Sequence, residues 1–226
     1  MNLNGITTFI IVLVGWVFSL TLHEFSHALV AYRGGDFTVR EKGYLTFNPL
    51  KYTHPVYSIL LPLIFLLLGG IGLPGGAVYI ETWRLYSRKW VSAVSLAGPL
   101  SNLLLAVIMG TFLRFAPLTA SGIWPALAFL ALLQVTAAFF NLLPVPPFDG
   151  YGAIRPHLNP ELRAKMDAFG QVSMFVVFAI FWYFPMVSGL FWSLVGWVAG
   201  LLGIPLDLAF LGQSWFIHVM TIKTGL

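Results

Sequence analysis

The chain has 226 residues, of which 58% are apolar and only 9% charged, with a formal charge of +4 and no cysteine. Typical globular chains carry roughly 45–50% apolar and about 25% charged residues, so a soluble core of this size is excluded and lipid must solvate much of the surface. The small, scattered charge excludes a nucleic-acid footprint, and the missing cysteines exclude disulfides and thiolate metal ligands.

Taken in chain order, the first apolar run extends from Ile6 to about Tyr32, long enough to span a bilayer as a helix. No basic n-region precedes it and it carries a chemical motif, so it does not read as a cleaved signal peptide. Arg33 to His54 is polar, with Gly34-Gly35, Asn48-Pro49 and an alternating stretch near Tyr44–Phe47, and is expected to form turns and short strands. Val56 to Ile71 is apolar but short; Gly72–Gly76 then breaks the chain, and Ala77 to Ile80 reads as a strand. Trp90 to about Phe115 and Ile123 to Leu143 are two further spans. After Pro144–Gly150 and a polar loop to Asp167, Gln171–Val187 and Ser188–Leu202 are expected as a final pair. The tail from Pro205 to Met220 is expected to lie along the membrane surface, and Trp182, Trp192, Trp197 and Trp215 read as interfacial anchors.

Charge placement sets an orientation. Arg33, Arg40, Lys42 and Lys51 follow the first span, and none of these residue types precedes it, so the N-terminus is expected outside and the Arg33–His54 loop in the cytoplasm. Arg155, Arg163 and Lys165 place the later polar loop on the same side. An even number of crossings must then separate the two loops. Trp90–Phe115 and Ile123–Leu143 supply two, which leaves Val56–Ile80 to enter and return on one side as a re-entrant hairpin. Non-helical backbone at that depth lines protein or a water-filled cleft.

The chemistry begins with His23-Glu24-Phe25-Ser26-His27. On a helix, positions four apart share a face, so both imidazoles can bind one metal while Glu24 reaches a metal-activated water as its base. Three ionisable side chains inside an apolar helix cost about 2.5–3.5 kcal/mol each on insertion scales, which points to function rather than packing. A catalytic zinc needs a third protein ligand. The candidates are His54, Asp149, His157, Asp36, Glu41 and Glu81. Asp149 stands out because prolines 144, 146 and 147 end a span on the same side as His27 and leave unwound backbone to aim a carboxylate inward. An ordinary Asp149-Gly150 turn explains the same residues. Lone histidines near an interface are usually solvated or hydrogen-bonded, so His54, His157 and His218 stay outside the expected site.

Three ordered motifs carry a resemblance to a known family: His23–His27, then Ala97-Gly98-Pro99-Leu100-Ser101-Asn102, then Asn141-Leu142-Leu143-Pro144-Val145-Pro146-Pro147-Phe148-Asp149-Gly150. The chain resembles the site-2 proteases, intramembrane zinc metalloproteases also called M50, and within them the compact branch without a PDZ insertion. The resemblance covers about Ile6 to Gly150. It implies that His23, His27 and Asp149 bind one Zn2+, that Glu24 activates water, and that the site lies below the membrane surface, where an unwinding substrate helix reaches it. Two positions depart from the family pattern. Tyr52-Thr53-His54-Pro55 stands where compact members often carry His-x-Asp-Pro, and Tyr151 stands where a second glycine is common.

The expected fold is an all-α polytopic membrane protein of about five or six transmembrane helices, with a re-entrant hairpin or short strands before the Gly98 helix. It forms one domain over residues 1–226, with a catalytic core of about 6–150 and C-terminal helices of about 168–220. The expected partners are the bilayer and a transmembrane protein substrate, in the cell membrane, with the active site toward the cytoplasm. Asn141 is a candidate donor to the tetrahedral oxyanion or a packing and capping residue. Gly98, Pro99 and Asn102 are expected to serve close helix approach. Pro74, Gly75, Gly76, Ala77 and Val78 are a candidate edge for pairing with unwound substrate, or a glycine turn beside a loop strand. A different membrane zinc hydrolase, such as a prenyl-protein endopeptidase, would lack a reason for the Asn141–Asp149 motif. A silent membrane-segment binder or a metal-handling protein would lack a reason for Glu24.

Overall fold

A computed structural model describes residues 3–52, 78–116 and 119–224, with side chains to 219. The described residues are helical: α1 (Leu3–Arg33), α2 (Thr38–Glu41), α3 (Arg88–Phe115), α4 (Trp124–Asn141), α5 (Asp149–Ile154), α6 (Pro160–Phe169), α7 (Ser173–Tyr183), α8 (Pro185–Leu201) and α9 (Leu206–Thr224). Single 3-10 turns occur at Pro49–Lys51, Thr82–Arg84 and Arg155–His157.

Among the described residues, three helices are long and apolar enough to cross a membrane: α1, α3 and α4. Two bent pairs pass the same test together, Pro160–Phe169 with Ser173–Tyr183 at 71° and Pro185–Leu201 with Leu206–Val219 at 118°, which gives up to five spans. The protein is therefore an all-α polytopic membrane protein. The sequence places the boundaries of the first three spans within about three residues, because prolines and polar residues punctuate them: Pro125 opens α4, and the chain leaves it at Asn141, ahead of Pro144. The expected break between Val187 and Ser188 instead falls at Phe184, where Pro185 starts α8 as its first residue.

Helix α4 is the hub. Nearly every residue from Pro125 to Asn141 is buried, as expected for a helix that is apolar all round. It packs against α1, α3 and α9. On one side Val12, Trp16 and Leu20 of α1 meet Phe129, Leu130 and Leu133. On the other, Ala106 and Leu113 of α3 meet Ala128, Ala131 and Val135, with Phe191 and Val195 of α8.

Two expectations need correction. The tail does not lie apart on a surface: α9 packs into the bundle, with Phe216 fully buried against Phe9 and Phe129 at ring separations of 5.3 and 5.8 Å. Phe216 and Ala209 are fully buried in the bundle, while Phe210 remains exposed on the outer face of the helix. The expected short strands are also missing among the described residues. Asp36 precedes α2 and accepts from the Thr38 backbone N–H and hydroxyl at 3.1 and 2.6 Å. The backbone of 78–81 bonds to side chains and to its own following turn rather than to a neighbouring strand: the Glu81 N–H donates to Asp36 Oδ2 at 2.7 Å, the Tyr79 carbonyl accepts from Lys42 at 3.3 Å, and the Ile80 carbonyl accepts from the Thr82 N–H at 3.1 Å.

The Asp36–Glu81 bond and a bond from the Tyr86 N–H to the Gly34 carbonyl at 2.9 Å also hold the start of α3 beside the end of α1. The chain therefore leaves α1 and enters α3 at one end of the bundle, as the parity argument requires. Arg84 and Lys42 beside Glu81 hold its carboxyl down to about 2, so this latch stays charged. The expected Val56–Ile71 element, with His54 and Pro74 to Ala77, lies outside the described residues.

Candidate metal centre

Helix α1 presents its two histidines to α3. His23 and His27 are one turn apart, and Val94, Gly98 and Asn102 recur every four residues as a single stripe on α3. Each imidazole is oriented by a bond from its Nδ1: His23 donates to Asn102 Oδ1 at 2.6 Å, and His27 donates to the Val94 carbonyl at 2.6 Å. Neither acceptor can donate, so both Nδ1 atoms carry the proton and both Nε2 atoms present lone pairs. Pro99 contributes nearby, since it lacks the N–H that would bond the Ser95 carbonyl and loosens the turn next to Val94.

The carboxylate arrives from the other direction. Past α4 the chain unwinds through the proline-rich segment and turns back into α5, which opens on Asp149. Gly150 permits that turn, because a Cβ there would collide with the Leu142 and Leu143 carbonyls. Asp149 Oδ2 then lies 3.2 Å from His23 Nε2 and 3.4 Å from His27 Nε2, while the two Nε2 atoms are 3.0 Å apart. Ligands about 2.0–2.1 Å from a tetrahedral zinc sit roughly 3.3 Å from one another, so this triangle fits the ion.

Two further observations support the fit. Asp149 Oδ2 is buried without a hydrogen-bond partner, and three converging lone pairs are stable together only around a cation. A Cβ on Gly98 would collide with both Nε2 atoms, so the glycine keeps the coordination space open. Among the described residues, His23, His27 and Asp149 are the one group of three such side chains placed to share an ion.

Glu24 is buried beside this triangle, within electrostatic reach of both histidines and Asp149. Its Oε2 accepts the Val78 N–H at 3.1 Å. One carboxylate oxygen is thereby fixed by backbone.

The remaining sequence candidates lie elsewhere. Asp36 accepts from the Thr38 N–H at the start of α2, Glu81 pairs with Lys42 and Arg84, and Glu41 is exposed at the end of α2. His157 faces Ser92 at 3.0 Å, and His218 is exposed on α9. Asn141 is buried and donates to the Ala137 carbonyl of its own helix at 3.1 Å. Of the proposed substrate edge, only Val78 is described. Tyr52, the one described residue of the first departure from the family pattern, is buried and donates to the Thr46 carbonyl at 2.6 Å, and Tyr151 donates to Asp167 at 2.6 Å, so these two side chains act in loop and helix packing. Gln134, which bonds Asn102, was missed; a lone amide inside an apolar helix was its signal in the sequence.

Comparison with known proteins settles the family. The protein named "Putative zinc metalloprotease Rip2" from Mycolicibacterium smegmatis is 46% identical over 203 residues, which is 89% of this chain and 78% of the relative. The protein of the same name from Mycobacterium tuberculosis is 45% identical over 91% of this chain and 79% of its own length. The chain belongs to the site-2 protease family. A third family relative, "Putative zinc metalloprotease YwhC" from Bacillus subtilis, is 34% identical over 79% of this chain and 83% of its own length. No family model and no solved structure matches the chain. As a site-2 protease it is a zinc metalloprotease, and zinc is its cofactor.

Proposed function

We propose that this protease hydrolyses peptide bonds in or next to transmembrane segments of membrane-protein substrates, in regulated intramembrane proteolysis. His23, His27 and Asp149 hold one zinc, and Glu24 is the general base. The observation that carries the reading is depth. At about 1.5 Å per residue, His27 and His23 stand roughly 9 and 15 Å inside the Arg33 end of α1, a helix long enough to span the bilayer. A membrane-embedded segment is already at that level.

Zinc held by His23, His27 and Asp149 would supply a Lewis acid that polarises the scissile carbonyl and would lower the pKa of a bound water toward roughly 7. The chain's own residues do the rest. Val78 holds Glu24 Oε2 so that Oε1 takes the proton of the attacking water and passes it to the leaving amine. Asn102 and the Val94 carbonyl keep the imidazoles aimed as the charge at the site changes. Asn141, at the end of α4 just before the unwound segment, is proposed to donate its second amide hydrogen to the oxyanion. The chain acts as one unit: the catalytic core of about 6–150 is braced by the C-terminal helices, of which α9 packs on both α1 and α4.

The test is a panel of detergent-solubilised single-span substrates, each cut product mapped by mass spectrometry. Cleavage sites are expected inside or within a few residues of the apolar segment, and cuts confined to soluble loops would overturn the proposal.

The orientation is proposed from charge: N-terminus outside, active site on the cytoplasmic half of the cell membrane. The chain lacks cysteine, so single cysteines report it cleanly. Thr119→Cys, in the exposed turn before α4, is expected to react with a membrane-impermeant maleimide in intact cells. Glu161→Cys, at the start of α6, is expected to react only after lysis. The opposite pattern would invert the topology.

A further inference from the structure

Gln134 sits at the middle of α4, fully buried in a helix otherwise built almost entirely of apolar residues. Burying a carboxamide is unfavourable unless its hydrogen bonds are made. Here only one end is satisfied: Oε1 accepts from Asn102 Nδ2 at 2.8 Å, and Nε2 has no partner among the described residues. Packing alone gives no reason for an amide at this position, since an apolar side chain of similar volume would fill the space without that penalty. The bond to Asn102 is what an apolar residue would not make.

That bond has a direction, and the direction reaches the metal ligand. With Nδ2 of Asn102 held by Gln134, its Oδ1 is turned to His23, and an oxygen can only accept. His23 must then carry its proton on Nδ1 and offer Nε2 as a lone pair. If the residue at 134 presented a donor instead, the Asn102 amide would turn over. Its Nδ2 would face His23, the imidazole proton would move to Nε2, and His23 would be unable to bind a metal. We propose that Gln134 is a positioning residue of the metal centre, which acts through Asn102 to fix the metal-binding tautomer of His23. This rests on the zinc site proposed above. The contrast with His27 is instructive: a helix carbonyl orients that ring and needs no such support.

The experiment is a set of zinc affinities, measured in detergent by competition with a chromogenic chelator, with thermal unfolding of the metal-free proteins as the folding control. Gln134→Met keeps the volume and removes the acceptor; zinc binding is expected to weaken about tenfold, the low end for supporting residues of a metal site. Gln134→Glu keeps an oxygen facing Asn102 Nδ2, and its affinity is expected to stay near that of the wild type. A role in packing alone predicts the reverse order, because methionine suits an apolar core and a carboxylate does not. Wild-type affinity in Gln134→Met together with loss in Gln134→Glu would therefore overturn the proposal.

An Asn102→Asp background gives a second, independent reading. Either carboxylate oxygen accepts from His23 without being oriented, so adding Gln134→Met there is expected to change zinc affinity no further. A renewed tenfold loss on that background would contradict the relay. His23→Ala separates the two levels of the argument. If it leaves zinc binding unchanged, the site itself is wrong; if it abolishes binding while the Gln134 variants behave as in the packing case, the site stands and the relay falls.

Discussion

Glu24→Gln is expected to keep its zinc and lose cleavage by about a hundredfold to ten-thousandfold, the range over which a positioned general base contributes. Glutamine preserves the shape of the side chain, and its carbonyl oxygen can still accept the Val78 N–H that now holds Oε2. It cannot take a proton from water. The three ligands are untouched, so zinc content measured on the purified variant should match the wild type while turnover of a labelled transmembrane substrate collapses. Undiminished, metal-dependent turnover would remove Glu24 from the mechanism and reopen the reading of the chain as a binder of metal or membrane segments.

Gly98→Ala is the second large effect, and it is expected to act without damage to the fold. In a helix interior, alanine is favoured over glycine by roughly 0.5–1 kcal/mol, and the added methyl meets imidazole nitrogens rather than backbone. It meets both Nε2 atoms at the point where an ion must sit. Zinc affinity should therefore fall by at least about tenfold, as when a metal site's support is disturbed, while helical content by circular dichroism is retained. Wild-type zinc binding in this variant would mean that the ion does not occupy the space between the two rings and Gly98.

The role of Gly98 also marks where sequence reading stops. The motif around it was legible, but small residues in membrane helices usually serve close helix approach, and nothing in the spacing distinguishes that from room for an ion. The histidine pair was legible because two positions four apart share a helix face whatever the tertiary structure. Asp149 was legible as a candidate because prolines announce an unwound segment, although its choice over His157 or Asp36 needed the family resemblance. The structure adds its distances to both histidines. Asn102 and Gln134 were harder. Their bonds span 79 and 32 residues, and no local pattern encodes a contact between helices so far apart in the chain.

The fold shows the same division. Span-length helices and their proline boundaries follow from local composition, so α1, α3 and α4 were anticipated. Whether an apolar tail meets lipid or protein depends on the partners it finds, and α9 finds Phe9 and Phe129. Ala77 to Ile80 reads as a strand, but a strand needs a neighbouring edge, and side chains of Glu24, Lys42 and Asp36 take the backbone groups of Val78, Tyr79 and Glu81 instead.

The most direct test of the central claim is zinc stoichiometry in detergent-purified protein, wild type beside Asp149→Ala, under non-chelating conditions. The His23–His27–Asp149 triangle predicts about one zinc per chain in the wild type, as in a three-ligand catalytic site, and a sharp loss in the variant. A wild type without zinc, or an Asp149→Ala protein that holds it unchanged, would contradict the site.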